Sequence, residues 1–336
     1  MDHPQASEMG PRSIMDILWS MVPIRVLTAA VKLQIFAPLE MSPQTAAEVA
    51  RQVEADARGI RMLLDALVGI GFLTKAGDHY ALTPVARAHL VPGKTGYLGD
   101  YVAGSARMAE RWGGLAEAVR TGQPVMAVDE QETAEEYFST LVRALQVTNG
   151  PPAQRLAAHL ASRRSAARVL DVACGSGVWG IYYALADPQA RITAHDFPTL
   201  LELARQYIRN HGVEDRFEYL PGDVRTVDFG VEHYDVAILG NICHSEGEAG
   251  SRALLRQMAR ALRPGGTAAI IDMIPNEART GPPFPLLFAL NMLLHTREGD
   301  TFTLAQYTAW AREAGLERVE TVDIGSHSPA ILATRP

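Results

Sequence analysis

The chain has 336 residues, 47% of them hydrophobic and 21% charged, with a formal net charge of −7. That length accommodates two domains with separate cores, and the acidic balance offers no basic face for a phosphate backbone, which counts against a nucleic-acid partner. Two cysteines, Cys174 and Cys243, are too few for a disulfide framework. No apolar run of about 18 residues stands out as a membrane span. The opening MDHPQASEMGPRS lacks the layout of a signal peptide, so the expected setting is cytoplasmic, without a membrane partner.

In chain order, IMDILWSMVPIRVLTAAVKLQIFAPL repeats apolar residues at helical spacing, and SPQTAAEVARQV opens a second helix on a capping residue. ARGIRMLLDALVGIGFL predicts a third helix ending at Gly71, followed by two short strands around an Ala-Gly-Asp turn in LTKAGDHYALTPVA. Three helices and a β-wing over residues 14–95 form a winged-helix pattern. The third helix carries Arg58, Arg61 and Asp65 on an otherwise apolar surface, unlike a base-reading helix, so the domain is expected to pair with a second copy of the chain. Residues 96–155 read as a helical connector whose Met108, Trp112, Tyr137 and Phe138 are candidates for lining a pocket. From residue 156 on, the runs ARVLDVACG, ARITAHD, FEYLPGD, YDVAILGN and TAAIIDM alternate with helical segments, which predicts an α/β domain with a parallel, doubly wound, Rossmann-like sheet. Ligands of such sheets bind beyond the carboxyl ends of the strands.

VLDVACGSGVWG follows the first of these strands, and its Gly175, Gly177 and Gly180 satisfy G-x-G-x-x-G. The glycines imply close approach of a ligand to backbone at a helix N-terminus, and by themselves admit a nicotinamide dinucleotide. Three carboxylates argue for a different ligand. Asp171 ends the first strand, where it orients the loop or attracts a cation; Asp196 ends the second, placed for ribose hydroxyls; Asp223 follows the third, near an adenine edge. Three carboxylates repel a pyrophosphate and favour a sulfonium-bearing nucleoside with a free amino group.

VLDVACGSG, HDFP, LPGDV and ALRPGG, in this order, resemble the class I S-adenosylmethionine-dependent methyltransferases. GIRMLLDALVGIGFLTKAGDHYALTPVARAHL is similar to the dimerisation domain of the bacterial and plant small-molecule O-methyltransferases. The resemblance covers roughly residues 14–335. It implies a homodimer that uses S-adenosyl-L-methionine, held by Asp171, Gly175, Gly177, Asp196 and Asp223, with Phe197 and Val224 flanking the adenine.

The resemblance also places His244, in GNICHSEGEAG, at the general-base position after the fourth strand. An imidazole is suited to take a hydroxyl proton near neutral pH. Ser245 and Glu246 stand where the family pattern has Asp and Trp. Asp272, ending the fifth strand, is expected to orient His244, and the place of a second acidic partner falls near Thr301, with none evident there. Met292 and His295, in FALNMLLH, are expected to face a small-molecule acceptor, together with Trp112. The reading is O-methylation of a secondary metabolite. Its rivals are C-methylation, for example of an α-keto acid with a metal held by His244 and His295, and a methyltransferase fold that has lost transfer.

Overall fold

The computed structural model describes residues 10–128 and 141–336. Tyr137 and Phe138 lie outside the described residues. The chain divides after Ala109 into two compact units, so the expected connector is shared between them.

In the first unit, α1 (Pro11–Trp19), α2 (Val22–Lys32), α3 (Ala46–Gln52), α4 (Ala57–Gly69), α5 (Pro84–His89) and α6 (Gly99–Ala103) accompany β1 (Gln44–Thr45), β2 (Leu73–Ala76) and β3 (His79–Leu82). The strands form an antiparallel sheet in the order β1-β3-β2. Helix α3 starts on a capping box, in which Thr45 and Glu48 satisfy each other's backbone N–H. Asp56 caps α4 by accepting the Gly59 N–H. Leu64 and Leu67 of α4 meet Ile35, Phe36 and Leu73 in a buried core. Arg61 pairs with Asp65 one turn later, and Asp65 also accepts from Lys75 and from the Tyr80 hydroxyl. Asp65 therefore ties α4 to the wing.

Two expectations about the N-terminus need correction. The first apolar segment is two helices, separated at Ser20 and Met21, with Pro23 in the first turn of α2 where it needs no hydrogen-bond partner. An 18-residue window within Pro11–Lys32 also has a mean hydropathy of 1.6 and is only 11% buried, so by length and composition one stretch is apolar enough to cross a membrane. Ile14, Ile17, Leu18 and Trp19 of α1 are each more than half exposed. Such an apolar face, uncovered in a single chain, is what an interface leaves when its partner is absent.

The second unit takes in the end of α7 (Ser105–Trp112), then α8 (Leu115–Thr121) and α9 (Gly150–Arg163). Its sheet comprises β4 (Arg168–Val172), β5 (Arg191–Asp196), β6 (Phe217–Pro221), β7 (Tyr234–Gly240), β8 (Leu262–Ile271), β9 (Glu317–Val322) and β10 (Ala330–Thr334). The spatial order is β6-β5-β4-β7-β8-β10-β9. The first five strands are parallel, whereas β10 runs antiparallel to both β8 and β9, so the expected parallel sheet is a mixed one. The crossover helices α10 (Val178–Ala186), α11 (Pro198–Asn210) and α12 (Cys243–Ala261) are followed by α13 (Pro283–His295) and α14 (Leu304–Glu313). β7 is buried along nearly its whole length, because helices cover both faces of the sheet and leave no place for polar alternation.

Candidate active site

The carboxyl ends of β4 to β8 bring the predicted residues together. In the loop from β4 to α10, Gly175 and Gly177 have φ of +57° and +74°, a region costly for residues with a Cβ. Asp171 is fully buried, and its Oδ2 accepts the Gly180 N–H at 2.8 Å. A Cβ on Gly180 would stand 3.0 Å from that oxygen and 2.8 Å from Ile192, so only glycine permits the contact. Burial pushes the Asp171 carboxyl up to about 8, with the Gly180 hydrogen bond opposing. Asp171 is not among the residues lining the cavity beside it, and its carboxyl fastens the loop through Gly180.

That cavity has a volume of about 390 Å³ and is lined by Gly175, Asp196, Phe197, Asp223 and Val224 among others; Gly177 shapes the loop from outside the lining. Trp179 forms part of its wall where Gly240 ends β7, and a Cβ on Gly240 would meet the indole nitrogen at 2.2 Å. The Asp196 carboxylate accepts the Gly175 N–H through Oδ2 and the Phe197 N–H through Oδ1, both at 2.8 Å. Backbone thus fixes its orientation at the carboxyl end of β5. His195, also in the lining, takes the Ala173 N–H on Nδ1 at 3.3 Å. Burial brings its imidazole down to about 4, so it is a neutral acceptor there. Asp223 differs from Asp196 in being chelated by the Arg225 guanidinium at 2.6–3.1 Å, which lowers its carboxyl below the ordinary value. Its side chain is therefore engaged by a cation that itself lines the cavity.

Across the cavity, the β7 loop lifts through Asn241, at φ +61°, into the first turn of α12. That helix breaks at Gly247 (φ +69°), where a Cβ would come 2.6 Å from the Glu298 carbonyl oxygen. Ser245 and Glu246 of this turn line the cavity, whereas His244, 6% exposed, and Asp272 lie behind the lining. His244 is held at three points. Its carbonyl accepts the Asp300 N–H at 3.0 Å, its N–H donates to Asp272 Oδ2 at 3.0 Å, and Nδ1 lies 2.5 Å from Asp272 Oδ1. A carboxylate only accepts, so the shared proton resides on Nδ1 and the Nε2 lone pair is available as a base. Phe288 of α13 packs its ring against this imidazole, edge to face, with centroids 5.0 Å apart.

Met292 and His295 are buried on α13, and His295 hydrogen-bonds the Asn291 carbonyl through Nδ1. Burial lowers its basicity; it is not the solvent-facing helix end that a terminal histidine suggests. Trp112 is half-buried at the end of α7. None of the three lines the cavity beside the glycine loop. Among the described residues, no group of three or more His, Cys, Asp or Glu side chains is gathered as a metal site would require. Sequence reasoning missed Trp179, His195, Arg225 and Tyr307. The first three stand in or beside quoted motifs, His195 near the end of β5, Trp179 in the first turn of α10 and Arg225 just after LPGDV, and that adjacency was the signal that could have found them.

A family model described as O-methyltransferase domain matches residues 115–317, and one described as O-methyltransferase dimerisation domain matches residues 13–92. The chain is 30% identical to the 3-hydroxy-5-methyl-1-naphthoate 3-O-methyltransferase of Streptomyces sahachiroi over 94% of its own length and 92% of the relative's. It is 28% identical to the tetracenomycin polyketide synthesis 8-O-methyl transferase of Streptomyces glaucescens, over 99% of both chains. The crystal structure of human N-acetylserotonin methyltransferase in complex with S-adenosylmethionine superposes with a TM-score of 0.82 at 26% identity, covering 98% of this chain and 99% of that one.

Proposed function

The chain belongs to the O-methyltransferase family, and we propose that it methylates a hydroxyl oxygen of a small aromatic secondary metabolite with His244 as general base. Its cofactor is S-adenosylmethionine, which when bound supplies an activated methyl group on a sulfonium. The cradle fits a nucleoside of that kind: glycine keeps Gly175 and Gly240 free of a Cβ, and the Asp196 carboxylate, fixed by backbone at the end of β5, is placed for ribose hydroxyls. Phe197 and Val224 would flank the adenine, Asp223 or its neighbouring backbone would read the base edge, and Gly177 with Asp171 shapes the loop that would hold the nucleoside.

The observation that carries the base assignment is the 2.5 Å contact between His244 Nδ1 and Asp272. Asp272 holds the ring in one tautomer and stabilises the imidazolium that forms when Nε2 takes the hydroxyl proton. The apolar helix α13 provides the acceptor side. Phe288, Met292 and His295 are spaced i, i+4, i+7 and so share one face, the one that brings Phe288 to His244. Trp112 joins this set through α8, which follows it and packs on α13. The naphthoate and polyketide named for the relatives agree with a planar, hydroxylated aromatic acceptor. The uncovered face of α1 and the dimerisation domain support a homodimer.

A panel of hydroxylated arenes, incubated with methyl-labelled cofactor and followed by NMR of the product, tests the reaction. A methyl on oxygen is expected. A methyl on carbon overturns the O-transfer reading, and cofactor binding with no transfer to any acceptor points to a fold that has lost the chemistry.

A further inference from the structure

The expected place of a second acidic partner is filled by Thr301, which is fully buried and whose hydroxyl finds no hydrogen-bond partner among the described residues. That residue does nothing for Asp272. A different side chain does. The Tyr307 hydroxyl donates to Asp272 Oδ2 at 2.7 Å, from α14 and wholly within the protein. Thr303 and Gln306 form a capping box that fixes the first turn of α14, and the ring of Tyr307 packs edge-on against Phe302 and Trp310. The phenol therefore has little freedom to leave the carboxylate.

With this bond, Asp272 receives two donors on each oxygen: His244 Nδ1 and the Met273 N–H on Oδ1, the His244 N–H and the Tyr307 hydroxyl on Oδ2. We propose that Tyr307 is a positioning residue for methyl transfer, a neutral donor that orients Asp272 and moderates its pull on the His244 proton. A carboxylate relieved of part of its charge by a phenol holds an imidazolium less tightly, so His244 stays unprotonated, and active as a base, to lower pH. The other titratable groups near the cluster are Asp300, whose N–H donates to the His244 carbonyl, and two in the turn that carries His244. The Cys243 thiol, which also meets the Tyr307 hydroxyl, is held protonated by burial and by the Asp272 charge, with a smaller contribution from Glu246 one turn further on. Burial, reinforced by the Asp272 charge, likewise keeps the Tyr307 phenol protonated, so it remains a donor.

This inference rests on His244 being the base. Tyr307→Phe removes one oxygen and keeps the ring. Expected are a fall in kcat of about tenfold, KM and cofactor Kd within twofold, and an acid limb of the kcat–pH profile moved upward by about half to one pH unit. In an Asp272→Asn background, Tyr307→Phe should cost almost nothing more, because its action runs through the carboxylate. An unmoved acid limb, or full additivity with Asp272→Asn, overturns the proposal. Should Tyr307→Phe fail to fold, Tyr307→3-fluorotyrosine, a stronger donor of the same shape, must move the limb downward, and no movement is again a refutation. If Tyr307→Phe is silent while His244→Ala is severely impaired, only the Tyr307 inference falls; if His244→Ala is itself silent, the base reading falls with it.

Discussion

The two walls of the site hold their carboxylates by different means. On the cofactor side, Asp196 is oriented by the N–H groups of Gly175 and Phe197, backbone donors that any residue supplies once the loop has its shape. On the acceptor side, Asp272 is oriented by side chains as well, the His244 imidazole and the Tyr307 phenol, and no other residue types reproduce those donors. The first wall depends on glycines that permit a conformation. The second depends on chemical identity at a few buried positions. Substitutions should accordingly act on binding at one wall and on turnover at the other.

The largest effect is expected from Asp272→Asn, which leaves His244 without its acceptor and admits the wrong tautomer; kcat should fall about 10²–10⁴-fold with cofactor Kd little changed. A matching loss of cofactor affinity in a titration would erase the distinction between the walls. Asp196→Ala should do the reverse, weakening cofactor binding about 10–100-fold as the hydrogen bonds of a charged acceptor are lost, and calorimetry giving an unaltered Kd would remove it from the ribose site. Gly247→Ala forces a Cβ against the Glu298 carbonyl at φ +69°, a cost of about 1–3 kcal/mol. Its Tm should drop by several degrees, and an unchanged melting curve would show that the break beside His244 is not constrained.

The smallest effect is a pH slope. Asp171 has a carboxyl raised from 3.8 to about 8 in the folded state, so the native protein keeps a proton that the unfolded chain has released. Stability from this group therefore declines as pH rises from about 4 to about 8. Asp171→Asn should flatten that decline in Tm measured against pH, and parallel curves for the two proteins would contradict the burial account.

Much of the cofactor wall was legible in the sequence, because its residues sit in short contiguous motifs at strand ends. Gly175, Asp196, Phe197, Asp223 and Val224 all reach one cavity. Asp171 lies in the strand as expected, and its carboxyl is turned to the Gly180 N–H. The acceptor wall was legible only in part. His244 and Asp272, 28 residues apart, could be paired through successive parallel strands, whereas Tyr307 arrives from a helix 35 residues beyond Asp272 with no local pattern that reports its target. The edge of the sheet was missed for a related reason. β9 is mostly exposed, and β10, though buried, is five residues long and takes its direction from a tertiary pairing with β8. At the N-terminus, helical spacing continued through a break that Pro23 permits, and the apolar length of Pro11–Lys32 went unnoticed because the polar residues within it interrupt any simple run.

The central claim is that His244 is the base, and it is tested most directly by measuring kcat and cofactor Kd together for His244→Ala. A fall in kcat of about 10²–10⁴-fold with Kd within twofold is the predicted result; turnover equal to that of the unsubstituted protein would contradict it.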